Sequence, residues 1–257
     1  MTDLLQLIYP VTLVLCLATG LLQLILRPEL LRHYASREAV LVGGALLVFA
    51  AGMVAFGGLE LYVSGADSLP VIEIAFLSTV VMLMVSVVVW PGGSETDHPR
   101  IRGWTRDKVL AVSLLPLVAF VWSAGYFVVA GLFVELVEVE GGMVDLFREG
   151  TALGFIMLAF VALSGAVTEE VVFRGYLQGR LESSPLGPWG AVLIAATIFA
   201  LGHGNYVEPW GLKELQILVL GIFFGWIKLQ YGLMAAVAVH LGHNAISLVI
   251  PVVVLTL

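Results

Sequence analysis

Eight long apolar runs, separated by short polar connectors, decide what this chain can fold into. They cover about residues 5–26, 39–59, 70–90, 109–136, 151–168, 189–203, 215–230 and 232–257. A helix needs about 20 mainly apolar residues to cross a bilayer. The pattern therefore predicts an all-α fold, a polytopic membrane bundle of about eight transmembrane helices. The sixth and seventh runs are only about 15 residues long, which implies tilt, re-entry or local thinning of the bilayer. Composition agrees. The chain is 60% hydrophobic and 12% charged, where soluble domains carry about 25% charged residues. Residues 1–150 hold the first four expected helices and 151–257 the last four. No soluble domain, low-complexity segment or internal repeat stands out.

The charges sort by connector. If the connectors alternate sides, one side holds Arg27, Arg32, Arg37, Arg100, Arg102, Arg106, Lys108, Arg174, Arg180 and Lys228, and the other only Arg148 and Lys213. This bias predicts cytoplasmic basic loops and places both termini on the non-cytoplasmic side of a multi-pass membrane protein. The net charge of −7 gives no basic footprint for nucleic acid. The single cysteine, Cys16, lies in an apolar run, so it reads as packing. The N-terminus, MTDLLQ, has no basic segment ahead of its apolar run, and the first run reads as a retained helix. The longest connector, 91–108, reads as a polar loop. Trp90, Trp104, Trp189 and Trp210 fall near predicted helix ends, where aromatic residues favour the interface. GIFFG (221–225) has the GxxxG spacing that permits close helix approach, here read as packing inside the bundle.

Ionisable side chains inside apolar segments are costly and usually face a bundle interior. Three groups stand out: Glu169, Glu170 and Arg174; His203; and His240, His243 and Asn244. Glu170 and Arg174 are spaced i,i+4 with the acid first, the favourable order for a pair. Glu169 lies about 100° around the helix with no sequence-local partner. His240, His243 and Asn244 share one helix face. Counted at about 1.5 Å per residue from the basic side, Glu169, His203 and His240 fall at overlapping depths, so three helices can converge within the membrane. His33 and His98 lie in polar connectors, and Glu73 near an expected helix start.

A glutamate, two imidazoles and a carboxamide suit amide hydrolysis. Glu169 would deprotonate a water, His203 would orient it or pass a proton, and His240 and Asn244 would donate to the oxyanion. No cofactor is needed in this scheme, which is the preferred one. Zinc is the competing scheme. His203, His240 and Glu169 would be its ligands with one position open to water, leaving Glu170 as the base, although no HExxH is present. Serine and cysteine nucleophiles fit less well: Ser164 is near the site but has no placed histidine in sequence, and Cys16 lies in a distant segment.

The elements EEVVFR (169–174), FALGH (199–203) and HLGHN (240–244) resemble, in order, the EExxxR, FxxxH and HxxxN motifs of the CPBP intramembrane proteases. This family is also called Abi or CAAX-protease-and-bacteriocin-processing. The segment 230–240 also resembles the family's turn into its last motif helix, with Tyr231 where threonine is common. The resemblance covers about residues 164–250. It implies an active site buried in the membrane, with Glu169, His203, His240 and Asn244 catalytic and Glu170, Arg174 and Phe199 supporting. It also implies peptide-bond hydrolysis on a membrane-associated or lipidated protein or peptide. Two rivals belong to other classes: a non-catalytic immunity or scaffold protein that binds a peptide in the same cavity, and a transporter with a proton relay.

Overall fold

The computed structural model describes residues 2–30, 86, 105–135, 137–138, 152–203, 207–208 and 211–256. Within them, six helices fall on six of the expected runs: α1 (Thr2–Leu26), α2 (Arg106–Ala130), α3 (Ala152–Glu169), α4 (Gly187–Leu201), α5 (Leu212–Tyr231) and α6 (Leu233–Thr256). The expected spans at 39–59 and 70–90 lie outside the described residues, residue 86 apart, as do Trp90, Trp104, His33, His98 and Glu73. Lys108–Ala130 and Leu233–Ile250 are long and apolar enough to cross a membrane, and Val11–Leu26 and Gly187–Leu201 are shorter apolar helices. The fold is helical as expected, with one addition. Two short strands, β1 (Val137–Glu138) and β2 (Val207–Glu208), pair antiparallel.

Local chemistry explains the helix ends. Thr105 caps α2 by accepting from the Lys108 amide at 3.4 Å. The polar connector therefore stops sooner than its composition implied, and Arg106–Lys108 belong to the helix. Thr12 and Thr19 on α1 each return the hydroxyl to the carbonyl four residues back, at 2.7 Å. This satisfies each hydroxyl proton within the helix, and Thr19 Oγ1 also accepts from the Tyr176 hydroxyl at 2.8 Å. α5 ends at Gly232, whose φ of +91° is open to glycine at little cost. One residue thus separates α5 from α6.

α3 does not stop at its acidic end. It runs on as a π-helix, Glu170–Gln178, and then as one α-turn, Gly179–Glu182. Gly175 and Gly179 weaken the α preference of this stretch, and π segments concentrate at functional sites. Eight of its nine residues are buried, against α4, α5 and α6.

The core is packed by Val171, Val172, Phe173, Tyr176, Phe199, Leu220, Phe224, Ile227 and Val239. α4 lies along α5, and small residues set their spacing. A Cβ on Gly221 would come within 3.0 Å of Ala196, and one on Gly225 within 2.9 Å of Val192. The GxxxG spacing therefore serves packing within the chain, as the sequence suggested. α6 packs on α2, α3 and α5. The outer faces of α1 and α2 present Val14, Leu15, Ile25, Val121 and Val128, each more than half exposed. Apolar faces this extensive fit lipid better than water.

Candidate active site

The acidic end of α3 and the π-helix place two adjacent carboxylates in different surroundings. Glu170 is fully buried. Its Oε1 is 3.0 Å from Arg174 Nη1 and 2.8 Å from His240 Nδ1. The i,i+4 pair expected from spacing is therefore made, with His240 as a third member that spacing did not reveal. Arg174 also donates from Nη2 to the Gly221 carbonyl at 3.3 Å. Its guanidinium lies 4.3 Å from the centroid of Phe199 and 5.6 Å from that of Phe224. A charge this deeply buried is tolerated because it is paired, hydrogen-bonded and faced by aromatic quadrupoles.

Glu169 has no such partner. Its Oε1 is 3.8 Å from His203 Nε2 and its Oε2 is 3.9 Å from His240 Nε2. Both distances are too long for direct hydrogen bonds and suit a water held between the groups. The other nitrogen of each ring decides what faces Glu169. His203 Nδ1 is 2.9 Å from the Phe199 carbonyl, an acceptor, so Nδ1 donates. His240 Nδ1 meets the Glu170 carboxylate and donates likewise. When neutral, both imidazoles therefore turn a lone pair on Nε2 toward Glu169. A water between them donates its hydrogens to Glu169 and an imidazole, leaving its oxygen lone pairs free for attack.

The same lone pairs are those a metal would use. Outer acceptors on each Nδ1, here Glu170 and the Phe199 carbonyl, are also what zinc-bound histidines have. Among the described residues, however, no three His, Cys, Asp or Glu are gathered closely enough to hold an ion. Tetrahedral zinc with bonds of about 2.0–2.1 Å needs its ligand atoms nearer together than Glu169 and either imidazole stand.

Asn244 lies one turn from His240 on α6. Its Nδ2 donates to the Ala162 carbonyl of α3 at 2.8 Å, which ties α6 to the helix carrying Glu169 and leaves one amide hydrogen without a partner among the described residues. His243 is buried, and its Nδ1 has no hydrogen-bond partner among the described residues. Phe199 stands at the centre of the cluster. Its ring is 4.5 Å from His203, 5.3 Å from Phe173 and 6.3 Å from His240. Ser164, also buried, accepts at its carbonyl from Thr168.

α5 is the contributor that sequence reasoning missed. Phe224 stacks on His240 at 4.5 Å with the planes 19° apart. Gly225 accepts at its carbonyl from Gln178 at 3.3 Å. Gln178 also donates to Glu182 at 2.9 Å, and Glu182 receives Lys228 at 2.9 Å. The stripe Glu170, Arg174, Gln178, Glu182 thus runs along α5 as a polar ladder. The i,i+4 spacing of this stripe was available in the sequence. Backbone carbonyls leave no mark there, and Phe224 reads like any apolar residue.

Residues 151–246 match the family model described as Type II CAAX prenyl endopeptidase Rce1-like. That range takes in the whole cluster from Glu169 to Asn244. The match is to a family model over that segment alone, and it likens the segment to a type II CAAX prenyl endopeptidase. The chain matches no curated protein and no solved structure.

Proposed function

We propose that this Rce1-like domain hydrolyses a peptide bond of a membrane-associated, lipidated protein or peptide, with Glu169 as the base that activates water. The observation that carries the reading is the convergence of His203 Nε2 and His240 Nε2 on Glu169, at 3.8 and 3.9 Å. Water bound there gives one proton to Glu169 as its oxygen attacks the carbonyl carbon. His203, held at Nδ1 by the Phe199 carbonyl, orients that water. The oxyanion is met by the free amide hydrogen of Asn244 and, when His240 is doubly protonated, by its Nε2–H. Glu170 keeps Nδ1 throughout. Glu169 then returns the proton to the leaving nitrogen, and the C–N bond breaks to give a carboxylic acid and an amine. Preorganised donors of this kind usually contribute the largest catalytic term.

The metal-free route is preferred because Glu169 and the two imidazoles stand wider apart than zinc ligands. In the zinc route His203, His240 and Glu169 would hold the ion, which would supply a more acidic bound water, and Glu170 would be the base. A reconstituted assay tests both. The probes are internally quenched peptides with a free C-terminus, with and without a farnesyl thioether. Cleavage by wild type that resists chelators and is lost in Glu169→Gln is expected. Loss on chelation with return on adding zinc would replace the base mechanism with the metal one. Binding without cleavage by either protein would favour a non-catalytic peptide-binding role.

A further inference from the structure

His240 is the side chain shared by both carboxylates, and its orientation decides where Nε2 points. The hydrogen bond from Nδ1 to Glu170 holds the ring only within the angular tolerance of such bonds, which weaken steeply only below about 120°. Within that tolerance the broad χ2 torsion of histidine still lets the ring tilt and carry Nε2 away from Glu169. The plane is set by aromatic contacts. Phe224 lies against one face, with centroids 4.5 Å apart and planes 19° apart, and Phe199 presents an edge contact at 6.3 Å and 89°. Offset stacking and edge contacts are the preferred arrangements of such rings. Phe224 cannot follow a swing. It is 1% exposed and packed in the core beside Leu220 and Ile227.

We infer that Phe224 is a positioning residue for the reaction: its ring fixes the plane of His240 and so aims Nε2 at Glu169. The inference rests on the hydrolytic reading above. Phe224 has no polar side-chain atom; its ring also faces Arg174 and His243 at longer range, 5.6 and 6.3 Å, and α5 serves the site without supplying a reacting group.

The test compares Phe224→Leu, Phe224→Tyr and Phe223→Leu. The last removes a half-buried neighbouring ring that stacks on Trp226 and borders Phe224 at 6.1 Å, with no ring contact to His240. Kinetics use the farnesylated quenched peptide in micelles. Phe224→Leu is expected to lower kcat by roughly 10- to 100-fold, the scale of a small misplacement of a reacting group, with KM changed less than about twofold. Phe224→Tyr, which keeps the ring face, and Phe223→Leu stay near wild type. If Phe224→Leu does not purify, Phe224→Met is read in its place.

A second readout needs no turnover. In histidine-labelled protein, the His240 ring protons, identified by their loss in His240→Gln, resonate upfield over the Phe224 face. They move downfield in Phe224→Leu and stay in the other two variants. Unmoved His240 signals in Phe224→Leu would overturn the inference. So would moved signals with unchanged kcat. A wild type that cleaves nothing would overturn the protease reading and take this inference with it, and is recognised because wild type fails as well as the variant.

Discussion

Glu169 and Glu170 are neighbours in the chain, and burial separates their roles. Glu170 is sealed between Arg174 and His240, while Glu169 keeps 18% of its side chain exposed and has no direct side-chain hydrogen bond among the described residues. Glu169→Gln is therefore expected to cost about 10²–10⁴-fold in rate, the usual range for a general base, with the thermal unfolding midpoint in micelles unchanged. Glu170→Gln should behave differently. It leaves Arg174 buried without its counter-charge, at a cost of about 3–5 kcal/mol, read as a lower midpoint. Adding Arg174→Met should recover much of that stability but not the activity, because a neutral amide oxygen is a weaker acceptor for His240 Nδ1 than the carboxylate. At this scale much was legible. The i,i+4 spacing gave Glu170–Arg174, and an ionisable group in an apolar run drew attention to Glu169, His203 and His240. The tie from Asn244 to Ala162 was not legible, because its acceptor is a backbone carbonyl.

Among the elements, the π-helix and α5 decide how closely the site is assembled. A Cβ on Gly225 would approach Val192 to 2.9 Å and Gln178 Oε1 to 3.0 Å, and one on Gly242 would lie 2.7 Å from the Pro116 ring of α2. Gly225→Ala and Gly242→Ala are expected to destabilise by about 1–3 kcal/mol, as overpacking does. Gly125, also helical, has nothing within 4 Å, so Gly125→Ala should be neutral or slightly stabilising. Unfolding midpoints of the three variants check this contrast. Hydropathy was enough to find the six long helices among the described residues because each is a nearly unbroken apolar run. It could not find the π winding, which has no compositional signature, and it carried α3 only to 168 because charge begins there. The start of α2 was readable in principle from the Thr105 cap, but the surrounding polar connector outweighed it.

At the scale of the whole molecule, the exposed apolar faces of α1 and α2 and the 12% charged content fit a lipid surrounding better than water. The sorting of basic residues predicts an orientation, with the stretch 91–104 cytoplasmic and 137–150 on the other side. In a chain carrying Cys16→Ser, an impermeant maleimide applied to intact cells is expected to label Glu140→Cys and spare Arg100→Cys; the reverse pattern would invert the orientation. The central claim is that Glu169 drives hydrolysis of a peptide bond. Its most direct test compares the terminal peptides of membrane and secreted proteins from cells carrying wild type, Glu169→Gln or no copy. The account predicts a terminus present only with wild type, which would also identify the substrate. Identical profiles, with both proteins at equal levels and the relevant substrates detected, would contradict it.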